Sequence, residues 1–273
     1  MRNHPSIRRP PAIPSRKARY TAPALEKGLD ILELLASGSE ALAHSEIARR
    51  LGRTISEVFR MLVCLEERGY ICQVGPDERY QLTLKLFEVA HLHHPLQRLI
   101  AQARPLLHQV AAQTEQSCHL AMLNNAEVVV VAHAEAPGTL NFSVRLGANI
   151  DLLHTASGHV ILAFQNDALR SRAFEAWQHR TGKKLPQNIF RHLERIRRRG
   201  YEELSSYLVR GVLNISYPVL NQHGEAVAAI TVPFLAHFGD HIGPRQVRGA
   251  LYRAAGTLSS AIGGRRLELP AGD

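Results

Sequence analysis

The chain has 273 residues, 45% of them hydrophobic, with a formal net charge of +9 and a pI of ≈ 9.9. That composition excludes a chain disordered throughout, leaves room for one or two domains, and makes an anionic partner plausible. No run of 18 apolar residues occurs, residues 1–20 lack a signal peptide's apolar core, and Cys64, Cys72 and Cys118 show no C-x-x-C spacing. The sequence therefore reads as cytoplasmic, with neither a membrane span nor a disulfide framework.

Charge is placed unevenly. Residues 1–20 carry six Arg or Lys, four Pro and no acid, which predicts a disordered basic arm. Within it Arg16, Lys17 and Arg19 are candidates for phosphate or minor-groove contact, and the arm reads equally as a solvated tail. Residues 21–92 hold eight basic and eleven acidic residues, so DNA contact from this part must rest on local placement rather than net charge.

Ala24 to Ala36 has helical spacing, with Leu25, Leu29, Leu32 and Leu35 on one face. A short helix follows over Ser45–Leu51, then Gly52-Arg53. The next stretch, Thr54 to Gly69, places Ile55, Val58, Met61, Leu62 and Leu65 in one apolar stripe. Thr54 and Glu57 form a T-x-x-E capping box, and Gly69 stops the helix. A strand at 70–74, the turn Gly75-Pro76-Asp77-Glu78 and a strand at 79–82 complete a winged helix-turn-helix. In that motif the second helix enters the major groove. Candidate DNA contacts are Ser45, Arg53, Thr54, Ser56, Glu57, Arg60, Arg79 and, from the arm, Arg19. Glu57 can accept from a cytosine amino group, but its capping role explains it without DNA.

Helical spacing returns at Leu84, Leu86, Phe87 and Ala90 and leads into His91-Leu92-His93-His94-Pro95, which lacks a neighbouring acid or cysteine and reads as a linker rather than a metal site. Gln97–Thr114 is a further helix. Cys118–Leu123 and Glu127–His133 read as strands around an Asn124-Asn125 turn, with a third strand at Leu140–Val144. Helices follow at Thr155–Phe164, Ala168–His179 and Gln187–Arg199. Strands at Ile215–Leu220 and Glu225–Val232 and a closing helix at Arg245–Ile262 make an α+β domain with an antiparallel sheet.

Enzyme signatures are missing: there is no G-x-S-x-G and no H-E-x-x-H, and Cys118 and His119 point to opposite faces of one strand. Asp151 and His154 can meet a serine, though no spacing requires it. The helix start Thr155-Ala156-Ser157-Gly158 offers free N–H groups and a positive dipole end. It suits a carboxylate, and equally suits an ordinary capped helix.

Several separated motifs resemble IclR-type transcription regulators, from about Ala22 to Gly263. They are Ala24–Leu35, Ser45–Gly52, Val58–Leu62, Leu65–Tyr70, Leu153–Ala163, Gly200-Tyr201-Glu202, Gly211–Val219 and Ala228–Val232. The resemblance implies an N-terminal winged helix on operator DNA and a GAF-like effector domain. It implies that the main-chain N–H groups of Ala156 and Ser157 hold a small organic acid, with Asn214 and Thr231 as polar pocket residues. His119 and Arg145 are added as weaker contacts, a buried and satisfied His119 being the blander reading.

The sequence departs from the family pattern at four places. Arg53-Thr54-Ile55-Ser56-Glu57 replaces a Leu-Pro-Lys-Ser-Thr run. His159 stands where lysine is usual, the acids expected after Gly-Tyr are missing over Leu204–Leu208, and Pro233-Phe234 replaces Ser-Gly. Base preference and effector type therefore do not carry over. The reading is an arm at 1–20, a DNA-binding domain at 21–83, a linker helix at 84–97 and an effector-binding and oligomerisation domain at 98–265. The expected partners are double-stranded operator DNA, a small organic acid and further copies of the chain as a dimer or tetramer. No catalysis, cofactor, metal or membrane is expected; the alternative is a constitutive DNA-binding protein, or an enzyme acting on a small carboxylate in the C-terminal domain.

Overall fold

The computed structural model describes residues 22–38, 40–92, 94–138, 142–236 and 242–268, without the side chains of His91 and His94. The arm at 1–20, with Arg16, Lys17 and Arg19, lies outside the described residues, as does His93. Two compact units divide the described chain, residues 22–97 and 98–268.

In the first unit, α1 (Pro23–Ala36), α2 (His44–Leu51) and α3 (Ile55–Glu67) precede a hairpin of β1 (Ile71–Val74) and β2 (Arg79–Leu82), followed by α4 (Lys85–His91). Gly52 closes α2 in the left-handed region at φ 64°, which lets the chain turn sharply into α3. Thr54 Oγ1 accepts from Glu57 N at 3.3 Å and Glu57 Oε2 accepts from Thr54 N at 3.1 Å, so the predicted capping box forms. The hairpin pairs Ile71 with Leu82 through Val74 with Arg79, and a bridge between Leu42 and Tyr80 ties its second strand to the approach to α2.

The core of this unit is Ile31, Leu35, Leu42, Ile47, Val58, Leu62, Ile71 and Tyr80. Each fully buried aliphatic contributes roughly 1.5–3 kcal/mol. Two expectations are corrected here. On α1 the inward residues are Ile31 and Leu35, while Leu25 and Leu29 are 63% and 48% exposed. On α3, Ile55 is 52% exposed and lies outside the buried stripe of Val58 and Leu62. In both cases the outlier lies in the first turns of its helix.

The second unit holds most of α5 (His94–Thr114), then β3 (Cys118–Asn124), β4 (Glu127–Ala134), β5 (Asn149–Asp151), α6 (Ala156–Ala163), α7 (Asp167–Thr181), α8 (Ile189–Arg199), β6 (Glu202–Ser205), β7 (Val212–Leu220), β8 (Ala226–Leu235) and α9 (Pro244–Ala261). The strands form one antiparallel sheet in the order β5-β4-β3-β8-β7-β6.

The predicted third strand is a correction. Leu140 and Asn141 lie outside the described residues, and Phe142–Val144 form no strand. The edge strand is Asn149–Asp151, paired with Glu127–Val129. It is delivered there by a turn in which Gly147, at φ 74°, donates to Val130 O. Neighbouring residues of a strand face opposite ways, and that alternation sorts the helices. Thr231 meets Ser157 on α6 and Tyr217 meets Tyr252 on α9, while Ser216 pairs with Thr231. Cys118 donates to Leu107 O of α5, and its neighbour His119 pairs with Thr231. So α5 and α9 cover one face of the sheet, and α6 covers the face that carries His119, Ser216 and Thr231.

Candidate functional site

In the first unit the exposed side of α3 carries Ile55, Ser56, Phe59 and Arg60. Ser56 and Arg60 make no side-chain hydrogen bond or ion pair with another described residue. Ser45 lies exposed at the start of α2. The other predicted contacts are engaged within the unit. Arg53 donates to Asp30 on α1 at 2.6 Å, and Arg79 donates to Glu46 Oε2 and to Ala41 O, each at 3.1 Å.

Lys27 Nζ sits 2.6 Å from Glu57 Oε1. The hydrogen bond from Lys27, then those from Thr54, pull the Glu57 carboxyl down to about 2. Glu57 is thus a fixed anion that links α1 to α3 as well as capping α3. Arg19 lies outside the described residues.

In the second unit the site is built around the start of α6. Asp151 shapes the approach: its Oδ1 accepts from Leu153 N at 2.8 Å and from His154 N at 3.0 Å, and its Oδ2 accepts from Trp177 Nε1 at 3.2 Å. Burial would raise the Asp151 carboxyl. The bonds from His154, Leu153 N and Trp177 outweigh it and hold the carboxyl below its ordinary value. With its partner His154 at 2.8 Å, Asp151 serves this turn, and among the described residues no serine bonds to the pair.

Thr155 then donates to Asp151 O and accepts from Gly158 N at 3.2 Å. His159 N takes Thr155 O, the first helical acceptor. The N–H groups of Ala156 and Ser157 are left without a partner among the described residues. Gly158 is required here because a Cβ at that position would lie 2.1 Å from Leu152 O.

Ala156 and Ser157 line a cavity of ≈ 90 Å³. Its polar lining is His119, Thr155, Ser157, Ser206, Asn214 and Thr231, and its apolar lining includes Phe142, Val144, Ile150, Tyr207, Leu208 and Val209. A relay of hydroxyls fixes the helix to the sheet: Ser157 Oγ lies 2.8 Å from Thr231 Oγ1, which lies 2.8 Å from Ser216 Oγ.

His119 corrects an expectation. It is buried at 3% exposure, but its Nε2 has no hydrogen-bond partner. Burial, then the neighbouring His133, pull its pKa from 6.5 down to about 4. The residue contributes to the lining of the cavity. Arg145 is not part of the lining.

A pH dependence follows. The folded pKa of His119 lies below its unfolded value, so the unfolded chain takes the proton first as pH falls. Its contribution is complete above about 6.5 and is lost as pH falls towards about 4. Relative to His119→Phe, the wild type should lose roughly 2–3 kcal/mol between pH 7 and pH 4.5 in denaturant unfolding. A difference independent of pH would show that His119 is solvated and freely protonated.

Comparison with known proteins decides the family. The model of the IclR helix-turn-helix domain matches residues 24–75, and that of the bacterial transcriptional regulator IclR C-terminal domain matches residues 92–260. The chain belongs to the IclR family. It is 26% identical over 243 residues to the HTH-type transcriptional regulator KdgR of Dickeya chrysanthemi, covering 87% of this chain and 79% of that protein. It is 26% identical over 244 residues to the HTH-type transcriptional regulator XynR of Escherichia coli K12, covering 88% and 97%. The crystal structure of the Thermotoga maritima IclR superposes with a TM-score of 0.69 at 25% identity, covering 88% of this chain and 99% of that one.

An IclR-family chain with these two domains is a DNA-binding transcription regulator. The family positions named from the sequence, Ala156, Ser157, Asn214 and Thr231, line one cavity, and so does the added contact His119. Sequence reasoning missed its rim. Tyr207 and Leu208 fall in the stretch where the family's acids are absent, Val209 follows it, and Ile150 was not placed in a strand. On α3 it missed the exposure of Phe59, which sits four residues after Ile55 and so on the same face. None of the described helices is long and apolar enough to cross a membrane.

Proposed function

We propose that the chain binds operator DNA through α3 and senses a small organic acid in the α6 cavity, in the cytoplasm, as a homodimer or homotetramer. The observation that carries the sensing half is the pair of unpartnered N–H groups at Ala156 and Ser157. They are the natural partners of a carboxylate at a helix start, where the dipole also favours an anion. In this reading Asn214 and His119 bond a second polar group of the ligand, and Phe142, Val144, Ile150 and Leu208 pack on its carbon skeleton.

A cavity of ≈ 90 Å³ that opens to solvent suits a small acid.

Leu25 and Leu29 on α1, with Leu84, Leu86 and Val89 at α4, leave apolar surface uncovered on the first unit. Such surface supports association between copies of the chain, and a two-fold pair of reading helices fits a palindromic or repeated operator. The acid acts only by binding two conformations with different affinity.

Ala156→Asp tests the assignment by placing a carboxylate at the proposed anion site. Fluorescence anisotropy of operator DNA titrated with a panel of short acids should show the wild-type response weakened at least about tenfold, roughly 1.4 kcal/mol. An undiminished response in that variant would move the effector site elsewhere.

A further inference from the structure

Three elements of the second unit, α6, α8 and β6, bring together a cluster that the regulator reading does not use. His159 on α6, His192 on α8 and Glu202 at the start of β6 converge. His159 Nδ1 lies 3.2 Å from His192 Nε2 and 3.4 Å from Glu202 Oε2, and His192 Nε2 lies 2.5 Å from Glu202 Oε2. The side chains of His159 and Glu202 are 8% and 3% exposed, and that of His192 is 28% exposed. Among the described residues, no other group of His, Cys, Asp and Glu converges in this way.

We propose that His159, His192 and Glu202 form a site for a divalent transition-metal ion of the zinc type, with His159 Nδ1, His192 Nε2 and Glu202 Oε2 as ligands. Two imidazoles and one carboxylate are a donor set that suits zinc and its neighbours rather than calcium or magnesium, which prefer oxygen. Bonds of about 2.0–2.1 Å in a tetrahedron set ligand atoms about 3.3 Å apart. The two distances from His159 match that edge. The third must open by roughly 0.8 Å on the same tetrahedral geometry, and His192 is the partly exposed ring that can swing.

The surrounding contacts are those that orient metal ligands. His159 Nε2 lies 2.9 Å from Leu153 O, so its proton sits there and the Nδ1 lone pair faces the cluster. Glu202 Oε1 is already held by Arg199 at 2.9 Å and by Glu203 N at 2.8 Å. That arrangement leaves Oε2 as a single free donor atom. Although buried, Oε2 has no partner in hydrogen-bond geometry: the contact with His192 is short but misdirected. Its contacts among the described residues are therefore the two imidazoles alone, and a cation bound among the three donors would satisfy that buried oxygen. Three protein ligands leave at least one coordination position for water or another small ligand.

The test is direct metal binding to the full-length protein. After chelation and dialysis, the wild type should take up one tight equivalent of Zn²⁺ per chain by calorimetry. Co²⁺ at the same stoichiometry should give the visible d–d absorption of a four- or five-coordinate N/O site. His192→Ala changes the partly exposed ligand, and circular dichroism verifies its fold. It should lose the Co²⁺ band and weaken Zn²⁺ binding by more than the 10–100-fold that follows loss of an outer-shell partner. Glu202→Gln should do the same while keeping the size of the side chain. Equal stoichiometry and affinity in wild type and His192→Ala would place the metal on other histidines and overturn the proposal. So would the absence of tight binding to the wild type.

Discussion

Gly158→Ala should lower the melting temperature of the second unit by about 10 °C and abolish the response to an effector. The added Cβ would lie 2.1 Å from Leu152 O, 2.8 Å from Leu152 C and 3.0 Å from Leu152 Cα. All three are backbone atoms of a residue buried in the core, so no side chain can swing aside. Either α6 moves off the 151–155 turn or that turn distorts, and each option breaks contacts around Asp151. Overpacking of this kind costs about 1–3 kcal/mol where side chains can adjust and more where they cannot. At roughly 2–4 °C per kcal/mol for a unit of this size, a cost of about 3–4 kcal/mol gives the stated fall.

The functional effect comes from position. The Ala156 and Ser157 N–H groups lie in the same turn and must move with it. Gly256→Ala is the control. A Cβ there meets nothing closer than Arg266 Cγ at 3.9 Å, an ordinary contact, and alanine is the better helix former. That variant should be neutral or slightly stabilising in the same scan. If both variants melt alike, the close approach at Gly158 does not constrain the fold.

Periodicity made the helices and most strands legible, because their apolar spacing survives into the burial pattern. The capping box at Thr54 and Glu57 and the helix start at Thr155 were readable because each needs particular side chains at fixed offsets. The misses have a common cause. The three-residue edge strand at Asn149–Asp151 is too short to show alternation, and the residues that form it are selected by the Gly147 turn and by β4, both settled only in three dimensions. The pairing of Lys27 with Glu57 and of Arg53 with Asp30 joins residues 30 and 23 positions apart, beyond any local pattern.

The cavity shows both sides of this. The helix start at Thr155 was legible from its own residues, whereas the choice of Ala156 and Ser157 came from the family resemblance. His119 was visible as a strand residue, but whether its ring is satisfied depends on what the opposite wall offers, and no spacing reports that. His159, His192 and Glu202 lie on three elements, and nothing in the chain order announces their meeting.

The double substitution Ser56→Ala with Arg60→Ala should remove most operator discrimination while leaving the melting temperature unchanged. Both residues are exposed and neither pairs with another described residue, so their truncation removes no interaction from the unit. They occupy the first turns of α3, the part of a reading helix that reaches base edges. Arginine bonds guanine or a phosphate, and serine bonds either a base or a phosphate. Removing a base-edge hydrogen bond at each position costs about 1–3 kcal/mol apiece, so the preference for operator over scrambled duplex should fall by about two orders of magnitude.

Salt separates the two roles of Arg60. If it contacts a phosphate, the slope of log affinity against log salt drops by about one, and operator and scrambled DNA weaken together. If it reads a base, the slope holds and only operator binding falls. Arg53→Ala makes the opposite case. Its guanidinium is bonded to Asp30, so its removal should loosen the joint between α1 and the α2–α3 turn and weaken all DNA binding by way of stability. Undiminished operator preference in the Ser56 and Arg60 double variant would show that another surface reads the DNA, and α3 would keep only its packing role.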